Sequence, residues 1–173
     1  MGIDKFDKPL VRFPEDEDTS FEEVIVEERQ AKEALERISQ AFDQVGLSLS
    51  KDTKILEGGT GTGVLMRYLK KEGYDTVGVD ARPRHGEALP IATARIERLP
   101  FADASFGAII SSAIFDEDFY IQDQGSMRKE IARVLEPEGF YIALYSSGND
   151  IEGFQTTLRS RSLALALYRK RLA

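Results

Sequence analysis

Apolar positions in this chain recur at two periods, and the switches between them lay out an alternation of helices and strands. Val24, Ala31, Ala34, Leu35, Ile38, Ala41, Phe42 and Val45 fall at helical spacing and give one buried stripe. Ser20-Phe21-Glu22-Glu23 fits a capping box for that helix, and Gly46 is placed to end it. Thr53 to Glu57 then predicts a short strand, Gly58-Gly59-Thr60-Gly61-Thr62-Gly63 a turn, Val64 to Gly73 a helix, and Thr76 to Asp80 a second strand. Ile91 to Ile96 predicts a third strand, Gly107 to Ala113 a buried fourth, Ser126 to Leu135 an amphipathic helix and Phe140 to Tyr145 an apolar fifth strand. From Phe154 to Leu172 the chain predicts one last helix, rich in leucine and alanine and basic at its end through Arg169, Lys170 and Arg171. The expected class is therefore α/β. Right-handed crossovers and a switch point between strands one and four set the parallel order 3-2-1-4-5, with helices on both faces.

Composition narrows the function without choosing it. The 173 residues fit a single domain over 21–173, preceded by an acidic arm over 1–20 that carries Glu15-Asp16-Glu17-Asp18. A net charge of −7 and a pI near 4.9 argue against general nucleic-acid binding. Without cysteine there is no disulfide framework, thiolate metal site or cysteine nucleophile, and a lone histidine, His85, rules out a histidine-rich metal site. The polar first residues and the lack of a long apolar run set the expectation of a soluble, cytoplasmic protein that binds no metal and no membrane.

The chemistry concentrates between Thr53 and Asp80. A strand–turn–helix–strand unit puts free backbone N–H groups and the positive end of a helix dipole at the carboxyl edge of its first strand. Small residues let a ligand lie against that backbone, and Asp80, at the tip of the second strand, suits the two hydroxyls of a ribose. The glycines run Gly59-x-Gly61-x-Gly63, which is neither the dinucleotide spacing nor a phosphate loop. Glu57 just ahead of the turn would repel a pyrophosphate and suit a ligand that carries an ammonium group.

This stretch resembles motif I of the class I S-adenosylmethionine (SAM)-dependent methyltransferases, an acidic residue followed by alternating glycines, with Asp80 matching the acidic end of their second strand. Two further segments carry the same resemblance. Leu99-Pro100-Phe101-Ala102-Asp103-Ala104-Ser105-Phe106 is similar to a segment before the fourth strand of small-molecule enzymes such as the ubiquinone/menaquinone biosynthesis methyltransferases. The run Glu130-Ile131-Ala132-Arg133-Val134-Leu135-Glu136-Pro137-Glu138-Gly139 is similar to their Glu-Ile-x-Arg-Val-Leu-Lys-Pro-Gly-Gly. The resemblance, spanning Lys54 to Ser146, implies a three-layer Rossmann-like fold and SAM as cofactor. It implies contacts from Glu57, Gly59 and Gly61 to the methionine part and from Asp80 to the ribose, with Gly58 also in the cofactor-binding set. Ala81, Arg82, Ile96 and Glu97 would flank the adenine, with Ser111 near the transferring methyl.

Three departures from the family pattern stand out. The link from Asp80 to the third strand is short for a parallel crossover, which usually runs to about a dozen residues or more. Arg95 occupies a position where the family often has an acidic adenine contact, a role that Glu97 could take. The usual final strand pair is expected to be missing, with the Phe154–Leu172 helix in its place, leaving strand 140–145 as an open edge for a homodimer or a heteromeric partner.

The implied activity is methyl transfer to an unidentified, small-molecule acceptor. The alternatives are a non-catalytic SAM-binding protein serving as a partner or regulatory subunit, and another nucleoside-binding Rossmann-like protein. SAM carries its own activation, so the fold chiefly positions donor and acceptor. No catalytic residue is assigned; Asp116, Glu117, Asp118 and His85 are the candidate bases if one is needed.

Overall fold

The computed structural model describes residues 21–82, 89–112, 123–146 and 150–172, with residues 21–27 described by backbone alone. The first helical stripe forms α1, Phe21–Gln44. It closes where expected: Gly46 takes a φ of 69°, which a side chain would resist, and the Leu47 N–H reaches back to the Phe42 carbonyl at 2.9 Å. Ser20 and its cap, like the acidic arm, lie outside the described residues. The βαβ unit follows as β1 (Lys54–Gly58), α2 (Val64–Lys71) and β2 (Asp75–Asp80). Then come β3 (Ile91–Thr93), β4 (Phe106–Ser112), α3 (Gln124–Val134) and β5 (Leu135–Leu144). Asp123 caps α3, its carboxylate accepting from the Gly125 and Ser126 N–H groups.

Among the described residues there is one seven-stranded sheet in the order β3-β2-β1-β4-β5-β7-β6, where β6 is Phe154–Ser160 and β7 is Leu165–Lys170. β1 pairs in parallel with both β2 and β4, so the chain leaves β1 toward one side and returns to the other. The carboxyl ends of β1, β2 and β4 thus meet at the switch point, where an open α/β sheet binds its ligand. Strand alternation sorts the core into two faces. Ile55, Ala108, Ile110, Ile142 and Leu167 meet Ala34, Ile38, Phe42 and Leu69 of α1 and α2. Leu56, Ile109, Tyr141, Ala166 and Tyr168 meet Met127, Ile131 and Val134 of α3.

The last part of the chain corrects the sequence reading. Residues 154–172 are not a helix: they form the β6–β7 hairpin, and the final strand pair expected to be missing is present. β7 pairs antiparallel with β5 from Phe140↔Arg169 to Leu144↔Leu165, so the edge that was to recruit a partner is occupied within the chain. The expectation of a dimer built on strand 140–145 and a helix 154–172 falls with it. The physical reason lies in β7. Leu165, Ala166, Leu167 and Tyr168 are all buried because the strand sits between β5 and β6 with a packed layer on each face. A short apolar run of this kind cannot be told from a buried helix by periodicity. The new outer edge, β6, carries Arg159 and a register shift between Thr156 and Leu158, both of which blunt edge pairing.

Boundaries moved elsewhere too. β3 stops at Thr93: the Ala94 N–H makes a last bond across to the Asp80 carbonyl at 3.0 Å, and the chain then leaves the sheet in a turn over 95–98 closed by the Arg98 N–H on the Arg95 carbonyl. β5 begins at Leu135 rather than Phe140, pairing Leu135 with Phe106 before a register shift.

Candidate cofactor site

Three glycines make the turn after β1. Gly59, Gly61 and Gly63 all have positive φ, at 74°, 54° and 75°, a conformation in which a Cβ would be strained. The turn is tied to β2 at two levels. The Gly59 N–H donates to the Val79 carbonyl at 2.8 Å, and the Gly61 N–H donates to Asp80 Oδ2 at 2.8 Å. Asp80 Oδ1 accepts from the Arg82 N–H at 2.7 Å, so this carboxylate braces the turn from the tip of β2. Thr60 is buried over Gly78, where a Cβ would meet the Thr60 methyl at 2.7 Å; the glycine in mid-strand is there to let the turn fold down.

Beside the turn lies a cleft of about 100 Å³, lined by Gly59, Val79, Asp80, Ala81, Ala94, Arg95, Ile96 and Glu97. The fold therefore brings together Gly59, Asp80, Ala81, Ile96 and Glu97, which the sequence had grouped, and adds Val79, Ala94 and Arg95. Arg95 is more than a departure from pattern. Its Nη2 donates to Glu97 Oε1 at 2.8 Å, and the pair forms a wall of the cleft. The readable signal was the i, i+2 spacing of opposite charges just beyond a strand. A broader, open hollow at the amino edge of the sheet, lined by Lys51, Lys70, Tyr74 and Asp75, is far from this chemistry. Its Lys51 ammonium stands 3.6 Å from the Tyr74 ring centre.

Glu57 occupies the end of β1 and is only 5% exposed. One carboxyl oxygen accepts from the Met66 N–H in the first turn of α2, while Oε2 is buried without a partner. Burial pushes this carboxyl up to about 8, the Met66 N–H pulls against that shift, and nearby Asp80 adds to it. An unpaired buried carboxyl oxygen is costly. A cationic group delivered by a ligand offsets that cost, and the ammonium of SAM is such a group. The residues present fit that cofactor: an acidic group, a small-residue turn and a carboxylate at the tip of β2 converge at one sheet edge.

Other expected residues sit apart. Ser111, at the end of β4, is buried and does not line the cleft; its hydroxyl lies 2.5 Å from that of Tyr141, a residue of the α3-side core. Gly58 closes β1 opposite Val79 and Ser111. Arg82 is exposed at the rim. The candidate bases Asp116, Glu117, Asp118 and His85 lie outside the described residues.

The two segments beyond motif I that carry the resemblance prove to be partners. From α3, the Arg133 guanidinium donates to the carbonyls of Leu99 (3.0 Å) and Phe101 (2.7 Å) and to Asp103 (2.9 Å). Glu130 holds the same guanidinium at 2.7 and 2.8 Å, and its Oε2 also accepts the Leu99 N–H at 2.7 Å. These bonds keep Glu130 below the ordinary glutamate range. Phe101 and Phe106 meet edge to face at 5.0 Å beneath the clamped loop.

Comparison with known proteins agrees with this geometry. A family model described as a methyltransferase domain matches residues 56–143. An uncharacterized methyltransferase of Bacillus subtilis, YodH, is 32% identical over 106 residues, covering 55% of this chain and 44% of YodH. The biotin biosynthesis bifunctional protein BioHC of Cellvibrio japonicus is 29% identical over 123 residues, covering 66% of this chain and 24% of its own. This chain thus spans less than half the length of either relative. Among solved structures, the 1,6-didemethyltoxoflavin-N1-methyltransferase of Burkholderia thailandensis, with 1,6-didemethyltoxoflavin and S-adenosylhomocysteine bound, superposes with a TM-score of 0.55 at 15% identity, covering 83% of this chain and 80% of that one.

Proposed function

The chain belongs to the methyltransferase-domain family, with the fold of the class I SAM-dependent enzymes, and from that premise we propose that it binds SAM over the Gly59–Gly63 turn and transfers the methyl group to a small-molecule acceptor. The observation that carries this reading is Glu57, a buried carboxyl with one oxygen unpaired beside a ligand-ready turn. The sulfonium supplies the activated methyl. Glu57 binds the ammonium of the amino-acid part, the glycine turn lets that part lie against backbone, and Asp80 accepts from the ribose hydroxyls. The Val79, Ala94 and Ile96 side of the cleft encloses the base beside the Arg95–Glu97 pair. We take residues 21–173 as one domain. The choice of a small-molecule acceptor rests on the Leu99–Phe106 and Glu130–Gly139 segments and their likeness to the quinone-pathway enzymes.

The non-catalytic alternative loses one of its supports, since β6 and β7 are present; it keeps Arg95. Among the described residues no helix is long and apolar enough to cross a membrane. Calorimetric titration with S-adenosylhomocysteine tests the cofactor, and absence of binding overturns the reading. A screen of small-molecule acceptors with methyl-labelled SAM tests the activity. Tight binding with no labelled product favours the partner or regulatory role.

A further inference from the structure

The wall of the cleft formed by Ala94, Arg95, Ile96 and Glu97 belongs to no strand or helix. β3 has ended at Thr93, and the chain from 94 to 98 runs as coil and turn. At one end it is pinned by the Ala94 N–H on the Asp80 carbonyl, and within by the Arg98 N–H on the Arg95 carbonyl, each at 3.0 Å. Its other end is Leu99, the residue whose N–H and carbonyl are both taken by the Glu130–Arg133 pair of α3. Leu99 is 4% exposed, and the guanidinium that holds its carbonyl also holds Phe101 and Asp103.

We infer that Glu130 and Arg133 are positioning residues for the cofactor: by gripping both backbone groups of Leu99 they set the place of the 94–97 wall, and with it the fit of the adenosine part. The inference rests on the function proposed above and extends it to a pair of side chains that do not line the cleft. A guanidinium suits this task because its planar fork of five N–H donors reaches two carbonyls and two carboxylates at once, where the three donors of an ammonium diverge from a single nitrogen. Glu130 supplies what the guanidinium cannot, an acceptor for the Leu99 N–H, while keeping the fork in plane. A loop held at both ends stays ordered without its ligand, so less ordering has to be done on binding.

The test uses Arg133→Lys in the full chain, which keeps the charge and loses the fork. Two probes are titrated well below the unfolding temperature: S-adenosylhomocysteine and 5′-deoxy-5′-methylthioadenosine, which keeps the adenosine and lacks the amino-acid end. Amide exchange of Ala94, Arg98 and Leu99 is followed without ligand. The expected result is a Kd raised about tenfold, by the same factor for both probes, with faster exchange at these amides. A purely structural role lowers the melting temperature and leaves both dissociation constants as they were; that result overturns the inference. Glu130→Gln gives the same readings should Arg133→Lys not fold. If the unaltered protein binds neither probe, the proposed function itself fails and this inference with it. If it binds both and the variant binds as well, only the positioning role fails.

Discussion

Glu57 and Glu130 are two carboxylates held largely out of water, and their surroundings drive them in opposite directions. Glu130, its side chain 19% exposed, has both oxygens bonded to Arg133 and one also to the Leu99 N–H, and it is shifted down. Glu57 has one backbone donor and one bare oxygen, and it is shifted up. The first arrangement spends its hydrogen-bonding capacity inside the fold and holds a loop to a helix. The second leaves one buried oxygen without a partner, at a stability cost, beside the glycine turn. The contrast separates a carboxylate satisfied within the fold from one that the fold leaves unsatisfied at the proposed cofactor site.

The sharpest way to break the contrast is pH. The Glu57 carboxyl sits at about 8 in the folded chain against an ordinary value of 4.5. Its neutral form therefore gives stability that is fully present below 4.5, is lost as pH climbs toward 8, and changes no further above that. Ligand-free protein should lose on the order of 1 kcal/mol for each pH unit across that window, in denaturant melts at pH 5 and pH 8. Glu57→Gln should flatten the loss and abolish tight binding of S-adenosylhomocysteine. An unaltered affinity in that variant would remove the ammonium from the argument.

Next in size is the clamp. Arg133→Ala leaves Glu130 and the carbonyls of Leu99 and Phe101 without their donor, and should cost about 2–4 kcal/mol in urea unfolding with an unchanged m-value. A cost under about 0.5 kcal/mol would place this cluster with surface ion pairs, the class to which its exposed Asp103 contact belongs.

Asp80→Ala stands between the two regions, because Asp80 both braces the turn through Gly61 and faces the cleft. It should weaken S-adenosylhomocysteine binding by about 1.5–3 kcal/mol for each charge-assisted bond lost, with the protein still folded by circular dichroism. An unchanged dissociation constant would leave Asp80 as a brace alone. The smallest expected effect is Tyr141→Phe, which strips the partner from the buried Ser111 hydroxyl. It should cost about 1 kcal/mol of stability and leave cofactor affinity unaltered. A loss of affinity would return Ser111 to the ligand side.

What could be read from the sequence was local. The glycine turn, its flanking strands and Asp80 sit within a single supersecondary unit, and their periodicities and positive-φ residues declare it without help from distant contacts. Gly46 likewise announced the end of α1. Both segments that form the clamp were also visible, each as a separate stretch. That Arg133 closes on Leu99 and Phe101 depends on where α3 lands, which short-range pattern does not contain. Residues 154–172 went astray for the same reason. Leucine and alanine favour a helix in isolation, but between β5 and β6 they complete a ladder and fill both faces, and tertiary burial outweighs intrinsic propensity. The ionisation of Glu57 was equally beyond the sequence. Its type and place suggested a role, while its raised pKa comes from the low-dielectric enclosure that α2 and the sheet build around it.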